Sequence, residues 1–435
     1  MEQRVVQEVV VAVINHCKGL ALYAVNPCRF IASEQGELRS KRGRPGVARQ
    51  SRSRIAKVSA LLTLVFSTQL SLAQVLPEDR ADLMYHSYDG GGVTIDGPSL
   101  MFRKSFKDKI SVSANYYVDT VSSASIDVIA SGASEYSEER TEYSLVLDYL
   151  NDKTLLSAGF TKSEENDYSA ETAYFNVSQD FFGDLSTISF GYSRGNDVVG
   201  QNGNENFSAN TDRQNLRFGF SQVLTPELLM SLSVETVTEE GYLNNPYRSY
   251  RFLTDMNDPL AGYQTGTEVY PQTRTSDAVS LSASYYLPYR AAIKGQYRYF
   301  TDDWDIKAHT YTLTYTHPIK DSWTIDLTLR GYQQTEAYFY SDLFEFESLD
   351  ERDFRARDKE LSGFKSNTIG LAVRYQLPWF KPGQTIKEGS ISLKWDHIRF
   401  NYDNFTDLTT DGSPGEEELY SFDANVIRLF FTLRY

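Results

Sequence analysis

The sequence predicts an all-β fold, a transmembrane antiparallel β-barrel of about 16 strands with short periplasmic turns and long extracellular loops. Three observations predict it. Segments of roughly ten residues alternate apolar and polar side chains. Short turns and long polar loops take turns along the chain. No stretch offers the roughly 18 consecutive apolar residues that a spanning helix requires. Aromatics make up 14% of the 435 residues, with 30 Tyr and 25 Phe, yet mean hydropathy is negative. A barrel reconciles the two, because only alternate residues meet lipid and Tyr favours the interfacial girdles.

The last eleven residues, 425–435, read NVIRLFFTLRY. Successive strand side chains point to opposite faces, so Ile427, Leu429, Phe431, Leu433 and Tyr435 form one apolar face. Arg428, Thr432 and Arg434 occupy the other, which suits a wet interior better than a dry core. The terminal aromatic resembles the C-terminal signal by which outer-membrane barrels are recognised, so this strand is expected to engage the barrel-assembly machinery. Closure follows from the solvent: in lipid an open sheet edge leaves N–H and C=O groups unpaired, so the first and last strands must meet.

The N-terminus is different. The basic run 41–54 precedes an apolar stretch from Val58 to Leu70, then Ser71-Leu72-Ala73 before Gln74. That is the plan of a secretory signal peptide with a small-residue cleavage site. The expected organisation is a leader over 1–50, a signal peptide over 51–73 and the barrel over 74–435. The leader reads as a mis-assigned start, because signal peptides last about 15–30 residues. Both cysteines, Cys17 and Cys28, lie in it, so the mature chain has no thiol chemistry. Residues 1–73 carry 11 Lys and Arg against 4 Asp and Glu, which leaves −22 on the remainder of a chain whose total is −15. An acidic exported chain is a poor nucleic-acid binder.

From Asp82 onward the reading is a series of hairpins. Asp82 to Tyr88 opens it, followed by the loop DGGGVTIDGP and a strand from Ser99 to Phe106. Residues 110–119 alternate cleanly after the turn Lys107-Asp108-Lys109. Hairpins then turn at Asn151-Asp152, Gly183-Asp184, Thr225-Pro226-Glu227, Pro288-Tyr289-Arg290, His317-Pro318 and Pro378 to Pro382. Long polar loops are expected up to Arg140 and over 194–212, 341–360 and 411–418. The longest connection, 239–276, shows no alternation and is expected to be a solvated external loop.

Four stretches, GGGVTIDGPS (90–99), SVSANYYVDTVSSASIDV (111–128), EERTEYSL (138–145) and SQDFFGDL (178–185), resemble a family of exported bacterial proteins of unknown function. The resemblance covers about 76–435, is densest before Gly200, and implies an outer-membrane barrel in a Gram-negative bacterium. It carries over no activity and no catalytic residues, and the leader before Ser51 departs from it.

With the apolar positions facing lipid, the expected lumen lining is Arg217, Glu235, Lys294, Arg298, Asp326, Arg330, Arg374, Lys394, Asp396 and Arg428, together with Asp148 and Arg434. Such lining predicts either a pore that selects solutes by charge or a lumen plugged by its own ion pairs. The former leads to a channel for passive transport of an unidentified solute. The latter leads to a structural or partner-binding barrel. Arg298, Arg330 and Arg374 suggest a basic stripe, and Arg248, Arg251, Tyr247 and Tyr250 in the longest connection suit sugars or anions. No enzyme is expected: the mature chain has only His86, His309, His317 and His397, and no nucleophile pairs with them by spacing. No cofactor or metal is expected either, since the acidic loops lack the spacing of a calcium hand. The expected partners are outer-membrane lipid and lipopolysaccharide.

Overall fold

A computed structural model describes residues 75–123, 136–348, 350, 353–380 and 385–435. The expected leader and signal peptide, and part of the connection before Arg140, lie outside the described residues.

The strands are β1 (Arg80–Gly90), β2 (Val93–Phe106), β3 (Ile110–Ser123), β4 (Tyr136–Asn151), β5 (Thr154–Glu164), β6 (Tyr168–Phe181), β7 (Ser186–Val199), β8 (Ala209–Thr225) and β9 (Leu228–Gly241). They continue as β10 (Ser249–Leu253), β11 (Tyr263–Thr267), β12 (Thr273–Tyr286), β13 (Ala292–Asp302), β14 (Lys307–Ile319) and β15 (Trp323–Gln334). Last come β16 (Phe364–Gln376), β17 (Glu388–Thr406) and β18 (Leu419–Arg434). Sixteen of them form one closed antiparallel barrel, and β10 and β11 make a separate hairpin between β9 and β12. Closure joins β1 to β18 in continuous register from Arg80↔Arg434 to Gly90↔Ala424. No lipid-level edge is left open, as the solvent demands.

The outward face is apolar. Leu83, Tyr85, Leu100, Phe102, Leu145, Leu147, Phe160, Phe190, Phe218, Leu313, Leu329, Ile369, Leu393, Ile427 and Leu429 are all exposed and share one parity on their strands. For a soluble sheet these positions would be an aggregation surface; for a barrel they are the lipid contact. At the rim Tyr435 stacks on Phe102 with centroids 5.7 Å apart, and its hydroxyl donates to the Arg103 carbonyl at 2.6 Å. His309 and His317 also face outward, each hydrogen-bonded to a tyrosine at 2.8 and 2.9 Å, Tyr297 and Tyr315.

The strands are longer than the membrane needs. β17 has 19 residues and β8 has 17, against roughly 9–11 for one crossing. Several expected loops are therefore strand. DGGGVTIDGP is no loop: β1 and β2 meet at Gly91-Gly92, both at positive φ (61° and 75°), the two-residue turn that matches strand twist. Most of 194–212 belongs to β7 and β8, leaving 200–208 between them. Connections β5–β6 (165–167) and β13–β14 (303–306) are also short, so loop length at the mouth end is mixed rather than uniformly long.

Above the lipid belt the alternation reverses. On β17 the outward residues are Ile391, Leu393 and Trp395, then His397, Arg399 and Asn401; the inward ones end in Ile398, Phe400 and Tyr402. β1, β2, β3 and β18 do the same. Tyr88, Val93, Ile95, Val121, Ile398, Ala424 and Val426 pack into an apolar core inside the barrel. Phe364, Tyr402, Phe405 and Tyr420 form a second cluster beside it.

Candidate functional site: a charged lumen beneath a folded mouth

Inward side chains divide the barrel wall in two. From β12 to β16 the spanning part presents Ser280, Ser282, Gln296, Thr312, Thr314 and Thr328, a hydroxyl-rich surface. β-branched Thr and small Ser fit a pleated wall without filling the lumen. Among them stand the expected charges. Arg217 on β8 pairs with Glu235 on β9 at 2.5 Å, and Arg298 on β13 reaches the same carboxylate at 3.5 Å. Arg330 on β15 lies over the Tyr332 ring at 5.4 Å. Arg374 on β16 donates to Ser392 at 3.3 Å, and Asp326 accepts from Thr316 at 2.5 Å. Lys294 is inward on β13, opposite Ser284 and Thr314. Arg217 and Arg374 remain solvent-exposed inside the barrel.

The other wall is closed up by its own charges. Lys394 sits 3.4 Å from Asp396, and Arg428 donates to the same buried carboxylate. Arg103 faces Asp148 at 3.8 Å, while Asp148 accepts from Ser157 at 2.6 Å. Asp119 takes His86 at 2.6 Å and Arg140 at 3.6 Å, and Arg140 also binds Glu142 at 2.7 Å. Sequence reading does not join His86, Asp119 and Arg140 into a cluster, because their partners are 33 or 21 positions apart and meet only in the β1–β3–β4 register. Arg434 pairs at the rim with Glu388 at 2.8 Å.

The mouth overturns two expectations. Residues 242–272 are a solvated loop only in part: 254–261 and most of β11 are exposed, whereas Asn245, Arg248, Tyr250, Arg251, Phe252, Glu268 and Tyr270 are buried. The segment crosses the mouth. On one side Tyr247 hydrogen-bonds Asp167 and accepts from the Asn202 amide at 2.7 Å. On the other, Phe252 bridges Phe344 and Val269 bridges Arg355. Arg248 and Arg251 are not offered to anionic solutes either. Arg251, 1% exposed, bonds Asp342 and Glu417 and donates to Thr406 at 3.0 Å. Arg248 lies 3.4 Å from Asp358. An unpaired buried cation is prohibitively costly, so these arginines and the acidic connections 335–363 and 407–418 require one another. Beneath them Tyr270, Trp304, Ile306, Phe339, Tyr340 and Leu361 form a core that reaches the inward Phe300.

The acids of the mouth titrate unusually. Burial, reinforced by Asp167 and Glu165, pushes the Glu138 carboxyl up to about 8. Burial and Asp358 together raise Glu268 well above the ordinary carboxyl range, although Arg248 opposes them. Glu417 goes the other way: burial alone would raise it, but the hydrogen bond from Arg251 takes it below its usual value. Glu138, Glu165 and Asp167 bring one carboxylate oxygen each within 4.8 Å of one another. A depression of about 710 Å³ opens around Ala283, Gly295 and Gly331, among the outward-facing Met230, Leu281 and Leu313. Its apolar, outward lining suits acyl chains.

No curated protein matches the chain in sequence. Among solved structures it is similar to a bacterial polysaccharide outer membrane secretin, at 9% identity and a TM-score of 0.44, over 82% of this chain and 98% of that one. It is similar to the siderophore receptor PirA from Pseudomonas aeruginosa at 10% identity and a TM-score of 0.39, over 82% of this chain; the match spans 63% of the receptor. OmpT, an outer membrane protein of Vibrio cholerae, matches at 9% identity and a TM-score of 0.38, over 83% of this chain and 100% of that one. A family model matches residues 128–389, which takes in two of the four resembling stretches, 138–145 and 178–185, and only the last residue, Val128, of a third. With more than half of its length inside that match, the chain belongs to the family described as protein of unknown function (DUF3570).

Proposed function

We propose that this protein is a passive channel in the outer membrane of a Gram-negative bacterium, exported by a cleaved signal peptide, with selectivity for small anionic solutes. The observation that carries the reading is the wall from β8 to β16. It joins a hydroxyl-rich surface to Arg217, Arg298, Arg330, Arg374 and Lys294, with Glu235 and Asp326 among them and Glu239 and Asp302 paired to Arg213 and Arg274 nearer the mouth. A barrel of this strand number leaves an aqueous lumen unless something fills it, and a ring of fixed cations raises the local anion concentration. The short turns would face the periplasm and the folded mouth the outside. Outer-membrane lipid and lipopolysaccharide would cover the belt, and the assembly machinery would take the strand that ends in Tyr435. The reading assigns no catalytic role and no cofactor.

The folded mouth favours a second reading, in which the barrel is plugged and serves an envelope partner. Planar-bilayer recording with the mature protein separates the two. Discrete steps whose reversal potential in a salt gradient shows anion preference support the channel. Silence over a wide voltage range, with the protein folded by gel mobility, supports the plug.

A further inference from the structure

We propose that Arg330, with Thr312 and Thr368 on either side of it, is a binding site inside the lumen for an oxyanion, the carboxylate or phosphate group of the solute. This rests on the channel reading above and gives its solute a chemical class. β14, β15 and β16 set the three residues in one row of inward parity: Thr312 is the cross-strand partner of Arg330, and Arg330 is that of Thr368. Directly opposed residues on one face keep their Cβ atoms about 4.5–5.5 Å apart, within reach of a single bound group. The row continues through Gln296 and Ser282 on one side and meets the buried Ile398 on the other.

What singles out Arg330 is charge without a counter-charge. It is half-buried, and among the described residues none gives it a hydrogen bond or an ion pair; its contact is the face of the Tyr332 ring, 5.4 Å away. The ionisable groups that act on it are that phenol and a second cation, Arg298. The inward acids of this wall are engaged elsewhere. Glu235 already serves two arginines, Arg217 at 2.5 Å and Arg298 at 3.5 Å. Asp326 accepts from Thr316 and lies four residues down β15 from Arg330, roughly 13 Å along the strand. Nearer the mouth, Asp302 holds Arg274 and Glu239 holds Arg213. Glu360 acts on the Tyr332 phenol but not on Arg330. Arg374 has no acid among the described residues either, but it stands exposed in the lumen, where water serves it.

Thr368 is the second, independent mark. It is 3% exposed, and its Oγ1 has no hydrogen-bond partner among the described residues. Buried hydroxyls are normally satisfied, because one left unpaired loses its hydration for nothing. A half-buried cation without a counter-ion and a buried hydroxyl without an acceptor therefore stand side by side. One oxyanion answers both: the guanidinium fork takes two oxygens, and the Thr368 hydroxyl donates to the same group. Thr312 offers a further donor from the other side. The Tyr332 ring against the guanidinium restricts its rotamers, so less freedom is lost when the anion arrives. A halide offers the fork no second oxygen, so this site ranks oxyanions above chloride, which a diffuse positive field would not do.

The test is titration calorimetry of the folded mature protein in detergent, against excess chloride, with inorganic phosphate and acetate as separate probes, alongside bilayer recording in chloride. Saturable binding of either oxyanion is the expected result, and the two probes distinguish phosphate from carboxylate as the preferred group. Arg330→Gln should weaken binding on the order of 10- to 100-fold and Thr368→Val about 2- to 10-fold. Arg330→Lys keeps the charge and removes the fork, and should behave more like the Gln variant than the parent. In the bilayer the bound oxyanion should depress the chloride current of the parent and not that of Arg330→Gln. Gel mobility with and without boiling identifies a variant that fails to fold, and the parent's preference for an oxyanion over chloride needs no variant. A folded, conducting parent with no saturable oxyanion binding overturns the site and leaves the channel standing. So does binding that Arg330→Gln or Arg330→Lys fully retains. Binding by a folded parent that never conducts overturns the channel and keeps the site within a closed lumen. Neither binding nor conductance overturns both.

Discussion

The two ends of this barrel are built from the same strands and obey opposite rules. In the spanning part, lipid lies outside and Ser, Thr and charged groups line the inside. Above it, β1, β2, β3, β17 and β18 turn polar side chains outward and bury Tyr88, Ile95, Val121 and Tyr402 within, with Phe400 packed against them. The backbone parity never changes; the apolar residues change sides. Where both surroundings are aqueous the only place to bury an aromatic is the barrel axis, so the outer end acquires a packed core like that of a soluble protein. The difference teaches where the membrane stops, between Trp395 and Ile398 on β17.

This contrast breaks most visibly at its most buried points. Arg251→Ala takes from the buried Glu417 its guanidinium partner and leaves Asp342 to Arg357, and should destabilise the mouth by about 3–5 kcal/mol. Limited proteolysis near 242–272 would report it; unchanged protection would refute the role given to this arginine. Phe405→Ala, at a position with 0% exposure, should cost about 3–5 kcal/mol in denaturant unfolding, as a core truncation does. Thr312→Ala, on the open wall, should change little by comparison.

A charge placed on the outward face sharpens the boundary. Leu327→Arg faces lipid and should cost about 2–4 kcal/mol if it lies near the midplane. Ser421→Arg has the same parity above the boundary and should shift stability by less than about 0.5 kcal/mol. Equal costs, measured by refolding into vesicles, would mean that the reversal of the pattern does not mark the membrane surface. The smallest structural effect belongs to the lumen. Arg330→Glu should leave heat-modifiable mobility intact and move the reversal potential toward cation preference.

Much of this was legible before any coordinates. Hairpin order, strand number and the inward parity of Arg298, Arg330 and Arg374 follow from a period of two, which local sequence carries in full. The reading failed where the pattern changed phase. Trp395 to Ile398 is an odd step, and DGGGVTIDGP looked like a loop because its apolar positions, Val93 and Ile95, face in rather than out. That phase slip was itself the available signal. The connection 239–276 failed for a different reason. Its Arg251 finds Asp342 at a separation of 91 residues and Glu417 at 166, and no local pattern encodes such pairs.

By itself, then, the sequence determined the wall: which residues meet lipid, which face the lumen, and which strand comes last. Alternation is a property of neighbours, and neighbours suffice for it. Tertiary structure alone decided the mouth. Whether an arginine there is bait for a solute or a rivet between loops depends on which carboxylates closure of the barrel brings beside it, and closure is a property of the whole chain.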